Sequence, residues 1–111
     1  AHSIVLKNIR PLWTVETFQE LLHQNVDIHA DNEYTLLYAA EHGHLGVVKF
    51  LVEHDADIHA NDDYSLRCAA ENGHLDVVKF LVEQGADVHA DNDYALLWAT
   101  SSVKKYLDSI L

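Results

Sequence analysis

Apolar positions in this chain fall into short clusters at helical spacing, separated by polar turns. Val15, Phe18, Leu21 and Leu22 recur at intervals of three and four, with Thr14 placed to cap them, which predicts a helix from Thr14 to about Gln24. Leu36, Ala39 and Ala40 line one face of a second helix from about Tyr34 to Glu41. Leu45, Val47, Val48, Phe50, Leu51 and Val52 cover more than one face of a third, over about 45–53, and the pattern returns over 75–83. A helix apolar over so wide an arc must be covered on several sides. These are interior layers, with Lys49 and Glu53 left for solvent. Gly43 and Gly73 supply the left-handed residue that ends one helix of each pair. Asn25, Asp55 and Gly85, residue types that tolerate positive φ, end the other.

The clusters are copies of one unit. Residues 31–60 and 61–90 agree at 19 of 30 positions. Leu21 to Ala30 is a weaker copy of the unit's end, and Tyr94 to Ala99 a copy of its beginning. Self-similarity at a fixed period means a stacked array in which each unit touches its neighbours, not a closed core. Residues 1–30 read as a degraded capping repeat: Ile9 and Arg10 replace the paired alanines and Pro11 stops a helix. Ile4, Val5 and Leu6 are placed to cover the open end of the stack. Residues 31–60 and 61–90 are full repeats. Residues 91–111 form a truncated C-terminal cap, where Val103 to Leu107 matches Val77 to Leu81 and Lys104 stands in place of Val78. A charge on that face suits the outer surface of a terminal repeat, so 1–111 is expected to be a complete small array.

The run Ala39-Ala-Glu-His-Gly-His-Leu-Gly-Val-Val-Lys-Phe-Leu-Val-Glu53, repeated as Ala69 to Glu83, resembles the helix–turn–helix half of an ankyrin repeat. The resemblance covers about residues 15–100. That unit usually has about 33 residues and opens its first helix with Thr-Pro-Leu-His. Here the opening is Tyr34-Thr-Leu-Leu37 or Tyr64-Ser-Leu-Arg67, and the shortfall lies just before the tyrosine. The shortened form is similar to the 30-residue ankyrin repeats of giant DNA viruses. The resemblance implies an all-α solenoid with short loops, little or no β-hairpin, and a protein-binding function without catalysis.

Charge narrows the partner. The net charge is −11 and the seven Lys and Arg are scattered, which argues against nucleic acid. Nine acids lie in three short loops: Asp27, Asp31, Glu33, Asp57, Asp62, Asp63, Asp87, Asp91 and Asp93. They suit a partner with a basic surface, or serve the fold by capping the next helix. No apolar run is long enough for a membrane span and no leader precedes one. With the lone Cys68, this predicts a soluble, cytoplasmic chain, in a host cell if its origin is viral.

Nine histidines raise the question of metal. His29, His59 and His89 share one repeat position and should align in a row. Layers about 8–10 Å apart cannot bring such a row within the roughly 2.0–2.1 Å that one zinc requires. The position usually holds an Asn that bridges neighbouring loops in the family, so a structural ladder is expected. Either neutral imidazoles bridge the loops, or the nearby acids hold them protonated. His44 and His74 match the family's Gly-His pair and read as structural. The acidic triplets lack the central Gly and the twelfth-position Glu of a calcium loop. No nucleophile–base pair or phosphate-cradling loop is present, and no cofactor is implied.

What changes between units is the opening helix. Thr35, Tyr38 and His42 become Ser65, Cys68 and Asn72, then Ala95, Trp98 and Ser102. Leu37, Arg67 and Leu97 vary too. The family presents these positions on its concave face, and Tyr, Trp and Arg dominate interface hot spots. Tyr38, Arg67, Trp98, Tyr64, Tyr94, Asp63 and Asp93 are therefore the candidate contacts of a monomeric module with a partner protein. A structural or self-associating spacer is the alternative.

Overall fold

The computed structural model describes residues 13–111. The readings placed on residues 1–12, including the apolar cover of Ile4, Val5 and Leu6, lie outside the described residues. Seven helices follow: α1 (Val15–His23), α2 (Ala30–Glu41), α3 (Leu45–Glu53), α4 (Ala60–Glu71), α5 (Leu75–Glu83), α6 (Ala90–Trp98) and α7 (Ser101–Ile110). Among the described residues there is no strand. Helices α2, α4 and α6 pack side by side in one row, and α1, α3, α5 and α7 form a second row behind it. The stack measures 42 × 21 × 21 Å, elongated as an array should be.

The core lies between the rows. Ala39, Ala40, Ala69 and Ala70 are fully buried and let α2, α4 and α6 approach closely. Leu36, Leu66, Val48, Leu51, Val78 and Leu81 fill the space behind them, all at 0% exposure. Burying one such side chain stabilises by roughly 1.5–3 kcal/mol. Phe18 and Val103 extend this core into the two end units. On the second row the stem of each lysine carries its charge over the next unit's ring: Lys49 Nζ lies 5.8 Å from Phe80 and Lys79 Nζ 5.4 Å from Tyr106.

The predicted stops hold. Thr14 Oγ1 accepts the Thr17 N–H at 3.2 Å and starts α1. Gly43 and Gly73 adopt φ of +76° and +78°. A methyl at Gly43 would lie 2.6 Å from Nδ1 of His74, so that glycine also admits the histidine of the next unit. His74 Nε2 then reaches the Glu41 carbonyl at 2.9 Å, tying two repeats together.

Two expectations are corrected. The triplets before each tyrosine do not stand at the starts of α2, α4 and α6 but inside them, after His29, His59 and His89, which make no side-chain cap bond. Instead Asp31-Asn32-Glu33, Asn61-Asp62-Asp63 and Asp91-Asn92-Asp93 each form a left-handed turn, with φ between 54° and 64° throughout. A left-handed turn costs L-residues about 1–2 kcal/mol each, least for Asn and Asp, so eight of those nine positions are Asn or Asp. With the finger shortened, one tight turn reverses the chain. The second correction concerns Thr35, Ser65 and Ala95. They are at most 1% exposed and vary beneath the loops, not on a contact face.

Candidate interaction surface

The left-handed turns decide where the loop acids point. In each unit an imidazole meets the acid four residues on: His29 Nδ1 lies 2.7 Å from Glu33, His59 Nδ1 2.9 Å from Asp63, and His89 Nδ1 2.5 Å from Asp93. The carboxylates of the first two also accept a backbone N–H from the next loop along the stack. Asp57 N donates to Glu33 Oε2 at 2.7 Å, and Asp87 N to Asp63 Oδ2 at 2.8 Å. Glu33 and Asp63 are buried by this double duty. Asp63, expected on the contact surface, lies under it and ties neighbouring loops of the stack together. Asp93 has the same histidine partner but remains half exposed.

The candidate aromatic and cationic residues divide into two groups. Arg67 reaches across from α4 to α6. Its guanidinium carbon sits 5.2 Å from the centre of the Tyr64 ring and 5.1 Å from that of Tyr94. Its Nε and Nη2 donate to the carbonyls of Asp62 and Asn61, both at 2.9 Å, and Nη1 lies 3.2 Å from Asp91 Oδ2. The planar fork thus braces the left-handed turn while its faces stack on tyrosines. Tyr64 pairs with Cys68, a hydrogen bond that pushes its pKa up to about 12. Burial raises the thiol of Cys68 as well. The Tyr94 hydroxyl donates to Glu71, and that bond raises its pKa. Next in line, the Trp98 ring lies 6.3 Å from Tyr94. Tyr64, Arg67, Tyr94 and Trp98 therefore form one stripe. At its end Trp98 is 62% exposed and Leu97 68%.

Tyr38 belongs to the second group. It stacks on Trp13 with ring centres 4.6 Å apart and lies 4.2 Å from His42. Trp13 also stacks on His44 at 5.6 Å. Burial lowers the pKa of His44, and the neighbouring His42 and His74 lower it further. Trp13 was not among the predicted site residues, yet it had a signal. It precedes the Thr14 cap and packs on Phe18 at 5.1 Å, the staple that fixes how a chain enters a helix.

Two further observations bear on chemistry. Among the described residues no group of three His, Cys, Asp or Glu could hold a metal ion, and no helix is long and apolar enough to cross a membrane.

Residues 13–105 match the family described as ankyrin repeats, three copies. This chain belongs to the ankyrin repeat family. Ankyrin repeats are in general protein-interaction modules, and the family is typically not enzymatic. The ankyrin repeat protein R896 of Acanthamoeba polyphaga mimivirus is 46% identical over 39 residues. That stretch is 35% of this chain and 12% of the viral protein, so the match spans a small part of its relative. The expected likeness to giant-virus ankyrin repeats is thereby shown.

Proposed function

We propose that this ankyrin array is a non-catalytic module that binds a partner protein through the face of α4 and α6. The stripe of Tyr64, Arg67, Tyr94 and Trp98 is the contact, with Leu97 beside it. Tyr38 extends the face toward the N-terminal repeats. Asp62, Asp91 and Asp93 give it an acidic rim, which suits a partner with a basic surface. The observation that carries the reading is the exposure of Trp98 and Leu97, 62% and 68%, next to an arginine already ordered by two tyrosines. Large apolar side chains held rigidly at low entropic cost are what hot spots consist of. The −11 charge favours protein over nucleic acid, and a reducing cytoplasm suits the single thiol. The module acts as a monomer in this reading.

Affinity capture from a eukaryotic lysate, read by mass spectrometry, identifies the partner. Trp98→Ala should then weaken binding by roughly thirtyfold, the equivalent of about 2 kcal/mol, while the protein stays folded. A folded variant that binds its partner as well as the native chain would remove this face from the interaction. The exposed Leu97 and Trp98 also favour a second reading, a spacer that self-associates. Sedimentation of the native chain at rising concentration separates the two.

A further inference from the structure

The histidine row belongs to neither the stripe nor the core, and its geometry has a consequence of its own. Each inner carboxylate of the row does two jobs. Glu33 takes the His29 ring of the preceding repeat on one side and the Asp57 N–H of the next loop on the other, at 2.7 Å each. Asp63 joins His59 and Asp87 in the same way, at 2.9 and 2.8 Å. A carboxylate as buried as Glu33 gains more from a charged donor than from neutral ones. An imidazolium cancels that charge and shortens the hydrogen bond.

We propose that the His29–Glu33–Asp57 chain is a pH-responsive joint that tightens the coupling between the first and second repeats when His29 is protonated. The groups that face His29 are Asp27 from its own repeat, and Glu33 and the His54 backbone from the next, the last through a backbone hydrogen bond. The His54 ring itself is turned to the Phe50 carbonyl. Every charge facing His29 is therefore negative. Burial opposes protonation, but the Glu33 hydrogen bond and charge, with the His54 bond and Asp27, outweigh it and raise the pKa above 6.5. A raised folded pKa contributes stability that is fully present below the unfolded value and is lost as pH rises through the folded one. The joint is tight in mild acid and loosens toward pH 8. His44 runs the other way: its lowered pKa gives stability present above 6.5 and lost as pH falls. The melting temperature of the native chain sums both, so a site-specific readout is needed.

The solvent-open copy of the pair is a built-in control. His89 and Asp93 are 61% and 50% exposed, against 36% and 11% for His29 and Glu33. Exposed pairs contribute little.

The test is the protection factor of the Asp57 amide, corrected for intrinsic exchange and followed by NMR from pH 8 to 6. It should rise roughly fivefold in the native chain and in His89→Gln, and stay flat in His29→Gln. Direct titration of the His29 ring should give a value above 6.5. That measurement needs only the native chain and stands even if His29→Gln folds poorly. A His29 value at or below 6.5, or an Asp57 amide whose protection rises equally in His29→Gln, would overturn the proposal.

Discussion

A single backbone conformation explains most of the acidity of the loops. Asp62 is exposed at φ 57° in the left-handed turn, and its own backbone carbonyl, not its carboxylate, receives Arg67. Its side chain is therefore there for the conformation it tolerates. Asp62→Gly should be neutral or slightly stabilising, because glycine enters this region freely. Asp62→Val should cost about 1–2 kcal/mol, as a β-branched residue pays the full left-handed penalty. Urea unfolding of the two variants checks the ordering, and equal stabilities would refute the conformational account. The positive φ of Asn25, Asp55 and Gly85 was legible in the sequence, since each follows a helix and belongs to a type that tolerates it. The three triplets were not legible in the same way. Asn and Asp are favoured both at helix caps and in left-handed turns, so composition alone does not separate the two. Whether a given acid is spent internally depends on its place within the turn. The third position of the triplet faces the next loop and is buried at Glu33 and Asp63, while the first two face water.

At the scale of elements α1, α3 and α5 were legible almost to the residue, because near-identical copies average out local ambiguity, while α2, expected from Tyr34, begins at Ala30. The limits expected for α1, α3 and α5 agree with those observed. The grouping of side chains across helices was less legible. Arg67 is one residue earlier in its repeat than Tyr38 and Trp98 are in theirs, so it points along α4 toward the tyrosine row. Sequence spacing places residues on a helix face, but it does not show that two tyrosines and two carbonyls converge on one guanidinium. Arg67 is only 13% exposed through its side chain, and its planar fork cannot be reproduced by an ammonium. Arg67→Lys should therefore destabilise by about 1–3 kcal/mol through lost stacking and lost carbonyl bonds. It should also increase the mobility of Tyr94, visible as broader aromatic NMR signals. A variant as stable as the native chain would show that the stacked arginine serves binding only.

For the molecule as a whole, one-dimensional stacking makes each layer depend on the one that covers it. Each inner helix of the second row presents a valine that the following unit covers: Val48 and Val78 are both fully buried. In α7 the matching position holds Lys104, which is exposed. Ile110 and Leu111 are also exposed, so the layer of α7 carries apolar surface beside its charge. The cost of desolvating an ammonium disfavours stacking of a second copy on this face. Lys104→Val removes that barrier and offers a face like the one Val78 offers α7. The variant should associate as concentration rises, with a light-scattering mass that climbs across a dilution series while the native chain stays flat. Circular dichroism should be unchanged, since the side chain makes no contact on which α7 depends. If both proteins scatter identically, Lys104 does not govern association at this face. If the native chain itself associates, the self-associating spacer gains over the partner-binding module, and the Leu97–Trp98 patch becomes the first place to look for the contact.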